Sequence, residues 1–117
     1  MKPVKEFRLW VRVLRWVDGD TFTGVLDQGY LTFCGRESDP VRFRCALINA
    51  PETKGDTLKA GLAAWTYAHE LAPEGDYPCQ AFKQDEFGRL LVDLILPDGR
   101  LFSDAMLTAG HAVPYTR

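Results

Sequence analysis

The run from Val41 to Glu52, VRFRCALINAPE, constrains this 117-residue chain more than any other stretch. Its first half alternates, with Phe43, Cys45 and Leu47 on one face and Arg42, Arg44 and Ala46 on the other. That is the pattern of a half-buried strand, predicted here over residues 41–48. It stops at Asn49-Ala50-Pro51, where Pro51 lacks an N–H and pushes Ala50 towards an extended conformation. Within nine residues the run presents an arginine, an amide oxygen and a carboxylate. A planar cation suits phosphate and oxygen ligands suit a hard metal ion, so the stretch is suited to meet both.

The rest of the chain arranges itself around this strand. Residues 7–17 alternate Phe7, Leu9, Val11 and Val13 against Arg8, Trp10, Arg12 and Leu14, which predicts a first strand. Asp18-Gly19 is a strong turn signal, and Thr21 to Leu26 should return as the second arm of a hairpin. A short third strand is expected at Tyr30 to Cys34. After Glu52, Asp56 or Thr57 can cap a helix whose apolar residues Leu58, Leu62, Trp65, Ala68 and Ala72 keep the 3.6-residue period, and Pro73 ends it. Residues 73–78 read as a turn, 79–83 as a short strand and 83–88 as a loop. Leu90, Val92, Leu94 and Leu96 mark a further strand. Ser103 as N-cap, Phe102 with Leu107 as a staple, and Gly110 at C′ predict a last helix at about residues 104–109. The sum is five or so antiparallel strands and two helices in one domain, 1–117, an α+β but mainly β class. A small closed barrel suits it, because closure removes exposed edges from a short chain.

Composition narrows the function classes. No run approaches 18 apolar residues, so no membrane span is expected. The N-terminus mixes charges with apolar residues and lacks a small-residue cleavage site, so the sequence as given reads as intracellular unless a leader was removed. Cys34, Cys45 and Cys79 cannot all pair with one another and form no metal-ligand spacing, which favours reduced thiols with Cys45 in the core. His69 and His111 stand alone and read as structural. The net charge is −2, with eight Lys/Arg against six Asp/Glu in residues 1–45 and six against ten in 46–117. A polyanion would be steered to this chain only weakly, and towards its first half.

Phosphodiester hydrolysis needs a cation to hold phosphate, a group that activates water, and donors for the transition-state oxygens. Asp20 sits at a strand–turn junction where a hard metal can be held. Asn49 adds an amide oxygen and Ala50 a backbone carbonyl. Oxygen-only ligands suit calcium better than zinc. Glu52 is the carboxylate nearest those ligands in sequence and the natural water activator. Arg44 and Arg89 can each offer two parallel N–H groups to phosphate oxygens.

The three segments WVDGDT, VRFRCALINAPE and DEFGRLLVDLILPDG, in this order, resemble the staphylococcal nuclease (thermonuclease) family. The resemblance implies an OB-type five-stranded barrel with helices, and a calcium-dependent endonuclease that cuts DNA or RNA to leave 3′-phosphoryl ends. It implies Asp20, Asn49 and the Ala50 carbonyl as metal ligands, Glu52 as general base, and Arg44 and Arg89 on the phosphate. Phe87 and Tyr115 are candidates for stacking on bases. The pattern departs in four places. The best-known members carry aspartate where Asn49 stands, which lowers ligand charge and should weaken calcium binding. They have threonine at Ala50 and lysine at Glu86, and they carry a further C-terminal helix, for which no counterpart is expected within residues 1–117. The alternative reading is a catalytically weakened barrel that binds nucleic acid or a protein partner. Oligomeric state is not legible in the sequence.

Overall fold

The computed structural model describes residues 9–82 and 90–115. Eight strands and two helices follow in the order β1 (Leu9–Asp18), β2 (Thr21–Asp27), β3 (Phe33–Cys34), β4 (Val41–Cys45), β5 (Ile48–Asn49), α1 (Leu58–Leu71), β6 (Gly75–Phe82), β7 (Leu90–Leu94), α2 (Phe102–Thr108) and β8 (Val113–Pro114). The main sheet runs β1-β6-β7-β4-β2, and β1 pairs again with β2, so five strands close into a barrel. β3 extends the β2 hairpin outside it, and β5 with β8 forms a separate two-stranded ribbon. The barrel with helices is the expected OB-type, mainly β arrangement.

One pairing differs from the all-antiparallel expectation. β4 and β7 run parallel, with Phe43 opposite Leu90 and Cys45 opposite Val92. A parallel neighbour requires a crossover, and α1 with β6 supplies it.

The β1–β2 hairpin is the longest pairing, and its alternation breaks where the register shifts between Val13 and Arg15 and again between Trp16 and Asp18. Each shift places an extra residue in β1, bends the strand and turns Trp16 inward. Gly24 lies beside the first bulge, and a Cβ there would stand 2.1 Å from the Arg12 carbonyl oxygen. Inside the barrel Trp16 packs edge-on to Phe22 and stacks on Phe102, both at 5.1 Å, while Phe22 stacks on Phe43 at 5.2 Å. Burying each such ring contributes about 1.5–3 kcal/mol.

Helix α1 packs only partly through the expected face: Ala68 and Ala72 are buried and Trp65 packs on the core, but the two leucines are not buried. Gly61, Ala64 and Ala68 are buried, while Leu58 and Leu62 stay 46% and 48% exposed. The reason is closeness: a Cβ on Gly19 would approach the Ala64 Cβ to 2.9 Å, so only small residues fit between helix and hairpin turn. Two indoles anchor the helix. Trp65 Nε1 donates to the Trp16 carbonyl at 2.9 Å, and Trp16 Nε1 donates to the Ala72 carbonyl at 2.7 Å, where the helix leaves carbonyls without partners.

Other boundaries also move. β3 begins only at Phe33, because Tyr30 and Leu31 take left-handed backbone (φ 54° and 61°) at the hairpin tip. The strand expected over 41–48 ends at Cys45, and Ala46-Leu47 reverse the chain with Leu47 at φ 73°. β6 starts at Gly75, earlier than the strand expected at 79. Helix α2 begins at Phe102, with Leu101 at its N-cap position. Ser103 is therefore not the cap. Its N–H and hydroxyl donate to Asp93 on β7 at 3.0 and 2.6 Å, so a remote carboxylate caps the helix. Phe7 and Arg8 lie outside the described residues.

Asp93 is fully buried, and burial pushes its carboxyl above the usual range although Ser103 opposes the shift. A raised pKa means that the folded state holds the proton more tightly, so this group favours folding most at low pH. Its contribution falls as pH rises from the ordinary value near 4 through the raised one. Asp93→Asn removes that titration. Urea unfolding at a series of pH values should show the variant gaining on the parent protein as pH rises above about 4; a pH-independent or opposite difference would count against it. Burial likewise pushes the Cys79 thiol up to about 12 and raises that of Cys45, leaving both as inert core thiols.

Candidate active site

β4 carries Arg44 to the end of the barrel, where the reversal at Ala46-Leu47 folds β5 back across it. Arg44 is 7% exposed. Its Nη1 donates to the Ile48 carbonyl at 3.1 Å and its Nη2 to Asn49 Oδ1 at 2.9 Å. The same Nη2 lies 3.5 Å from Asp20 Oδ2. The Tyr115 ring covers the guanidinium from the other side, 4.7 Å from its centre, which is cation–π distance. Tyr115 is held there because its N–H donates to the Leu47 carbonyl at 3.0 Å, just beyond the β5–β8 pairing.

The hairpin turn brings the acidic side. Asp20 is 6% exposed, and its Oδ2 accepts the Ala50 N–H at 2.8 Å while Oδ1 accepts the Thr21 hydroxyl at 2.9 Å. Asp18 Oδ1 accepts the Thr53 hydroxyl at 2.9 Å and the Thr53 N–H at 3.3 Å. The backbone is thus tied to one turn on both sides of Pro51-Glu52. Gly19 lets that turn approach: a Cβ there would be 3.1 Å from the Ala50 Cβ. Gly19 has no positive φ, so close packing, not turn geometry, demands glycine.

Glu52 lies on this tethered loop with its side chain 65% exposed, 3.6 Å from the Lys54 ammonium. So exposed a pair holds it only weakly, about 0–1 kcal/mol. Its carbonyl is held more firmly, accepting the Thr57 hydroxyl at 2.8 Å. Gly61 of α1 packs directly on that carbonyl, and a Cβ there would stand 2.1 Å from the oxygen.

Of the residues expected from sequence, Arg44, Asp20, Asn49 and Tyr115 meet in direct contact, and Ala50 joins them through its N–H. Glu52 is brought alongside by its backbone. Arg89 and Phe87 lie outside the described residues, as does Glu86. Asp18, Thr53 and Gly61 were not expected. Gly61 carried a signal, a glycine inside a helix; the Asp18–Thr53 contact carried none. The hollow between Asn49–Pro51 and Gly110–Val113 has a volume of about 280 Å³. A larger hollow, about 650 Å³, lies elsewhere, at the opposite end of the β1–β2 hairpin.

The donor set fits a hard cation by chemistry, since it consists of oxygens alone. It fits tightly bound calcium poorly by charge and arrangement. Asp20 is its one carboxylate, the oxygens of Asp20 and Asn49 both face Arg44, and the described residues contain no cluster of three or more acidic, histidine or cysteine groups suited to a metal. No described helix is long and apolar enough to cross a membrane.

No curated protein matches the chain. The family described as staphylococcal nuclease homologue matches residues 42–117, which include all but the first residue of β4, the Asn49–Glu52 loop and Tyr115 but not the Asp18–Asp20 turn. That span covers most of the chain and carries the strand and loop around Arg44, and on it the chain belongs to the staphylococcal nuclease homologue family.

Proposed function

We propose that the chain is a calcium-dependent nuclease that hydrolyses phosphodiester bonds in DNA, and in RNA, at the cluster of Asp20, Arg44, Asn49 and Glu52. The observation that carries this reading is the convergence of a buried arginine, an aspartate and an amide oxygen with a loop that holds Glu52 beside them. Membership of the family supports the reaction class.

Calcium, held by the side-chain oxygens of Asp20 and Asn49 and the Ala50 carbonyl, would supply charge neutralisation at the phosphate. The protein's own groups do the rest. Glu52 takes a proton from the attacking water as a P–O bond forms. The bond to the 5′ oxygen breaks, that oxygen takes up a proton, and a 3′-phosphoryl end remains. Arg44 donates two N–H groups to the phosphate, and Arg89 provides a second such fork. In the free protein Arg44 is satisfied by Asn49, Ile48 and Asp20, so it must exchange those partners for phosphate oxygens. That exchange subtracts from the affinity for phosphate. Tyr115 and Phe87 offer aromatic faces to bases.

The deciding experiment incubates the chain with single-stranded DNA in calcium and in excess chelator, follows cleavage on gels, and maps the product ends. Calcium-dependent cutting to 3′-phosphoryl ends is expected. Binding without cutting at saturating calcium would replace this reading with a binding module.

Asn49→Asp sharpens the test. The added charge acts on calcium and on Arg44 alike, but calcium carries twice the charge and gains more. The calcium concentration for half-maximal cleavage should fall about tenfold, and an unchanged or higher requirement would remove Asn49 from the ligand set.

A further inference from the structure

The β1–β2–β3 surface carries a separate hollow, about eight residues along β1 from the Asp18–Asp20 turn and thus roughly 25 Å away. Trp10 on β1 stands opposite Asp27 on β2, and Asp27 stands opposite Phe33 on β3. Residues directly opposite one another on paired strands point to the same face. The row therefore places a carboxylate between two aromatic side chains, and all three line the hollow of about 650 Å³. That volume is in the range of small-ligand sites.

Spacing decides what enters. Trp10 and Phe33 are two strands apart, about 10 Å between backbones. A flat group in contact with a ring on each side needs about 7 Å. One planar group fits. Both rings are half exposed, 51% and 54%, so neither is packed on the core instead. Asp27 Oδ1 accepts the Gly29 N–H at 2.9 Å, which fixes the carboxylate, and among the described residues Oδ2 has no partner.

Charge decides the sign. The hollow is lined by three carboxylates, Asp27, Glu37 and Asp76, against two guanidinium groups, Arg12 and Arg36. Arg12 is consumed internally: it donates to Asp76 at 2.7 and 3.0 Å and also to Glu37. This triad walls one side of the hollow and ties the 36–39 loop across β1 to β6. With Arg12 so occupied, Asp27 and Arg36 are the lining charges without an ion-pair partner among the described residues, and the lining as a whole stays one charge negative. The two rings flank the carboxylate, a setting that attracts a cation more than a phosphate.

We propose that this hollow binds a planar cation, a guanidinium such as an arginine side chain presented by a peptide, stacked between Trp10 and Phe33 and paired with Asp27. The inference is independent of the nuclease reading.

The test titrates N-acetylargininamide into the ¹⁵N-labelled full chain and follows amide and indole shifts. Saturable binding in the millimolar range is expected, as suits one stacked ion pair, with shifts confined to Trp10, Asp27, Phe33 and their neighbours. Asp27→Asn, which keeps the acceptor for Gly29, should weaken binding about tenfold or more. Trp10→Ala should weaken it several-fold, and N-acetyllysinamide, which is not planar, should bind less well than the arginine compound. Glu52→Gln should bind it unchanged while losing cleavage, so failure here and failure of the nuclease reading are separable. Scattered shifts, binding indifferent to both Trp10→Ala and Asp27→Asn, or guanosine monophosphate binding here in place of argininamide would overturn the proposal.

Discussion

Glu52→Gln is expected to slow calcium-dependent DNA cleavage by about 10²–10⁴-fold, the usual worth of a general base. The side chain is 65% exposed and its ion pair with Lys54 is long, so stability should stay within about 0.5 kcal/mol of the parent. Glutamine retains the shape and the tethered backbone, so the loss would come from the missing proton acceptor alone. Initial rates at saturating calcium, beside a urea unfolding curve, separate the two effects. A variant that keeps its rate would remove Glu52 from the mechanism. One that loses rate and fold together would make Glu52 a structural residue instead.

Gly61→Ala should produce the opposite signature, with stability and rate falling together. Alanine is the better helix former by about 1 kcal/mol, which by itself argues for stabilisation. Contact overrules propensity here. The new methyl would stand 2.1 Å from the Glu52 carbonyl oxygen and 2.8 Å from the Thr53 Cα, and both obstacles are backbone. Either the helix withdraws from the barrel or the 50–53 loop shifts. Overpacking of this kind costs about 1–3 kcal/mol. Loop displacement of about 1 Å would lower the rate about 10²-fold by moving Glu52 away from its substrate position. Thermal unfolding and initial rates on one preparation check both. A Gly61→Ala protein more stable than its parent, with full activity, would show that the loop is not held by this contact.

How much of this could be read along the chain differs from one element to the next. The hairpin of β1 and β2 follows from alternation and an Asp-Gly turn, and it forms as expected. Helix α1 also follows from periodicity, and Ala68, Ala72 and Trp65 meet the core as the pattern expects, but the leucines of that face do not. The leucines that carry the apolar pattern stay half exposed, because the helix lies too near Gly19 for anything larger than alanine. Hydrophobicity marks which residues are able to be buried; the distance to the neighbour decides which of them are. Ser103 is a similar case. As a helix-start residue it is correctly placed within two positions, yet its hydroxyl serves a carboxylate ten residues earlier on β7.

The candidate site shows the same division. Sequence by itself determined the chemical inventory, because residue type and order are local properties: an arginine, an amide and a carboxylate after one strand, and an acidic hairpin before it. It also determined that strands of this length and patterning would curl into a small barrel. Only the tertiary structure decided that Asp20 and Arg44, 24 positions apart, share one buried pocket, and that Asp18 reaches Thr53. It alone set a row of Trp10, Asp27 and Phe33 across three strands. Such meetings depend on register, bulges and closure, which arise when separate segments pair, and no single segment contains them.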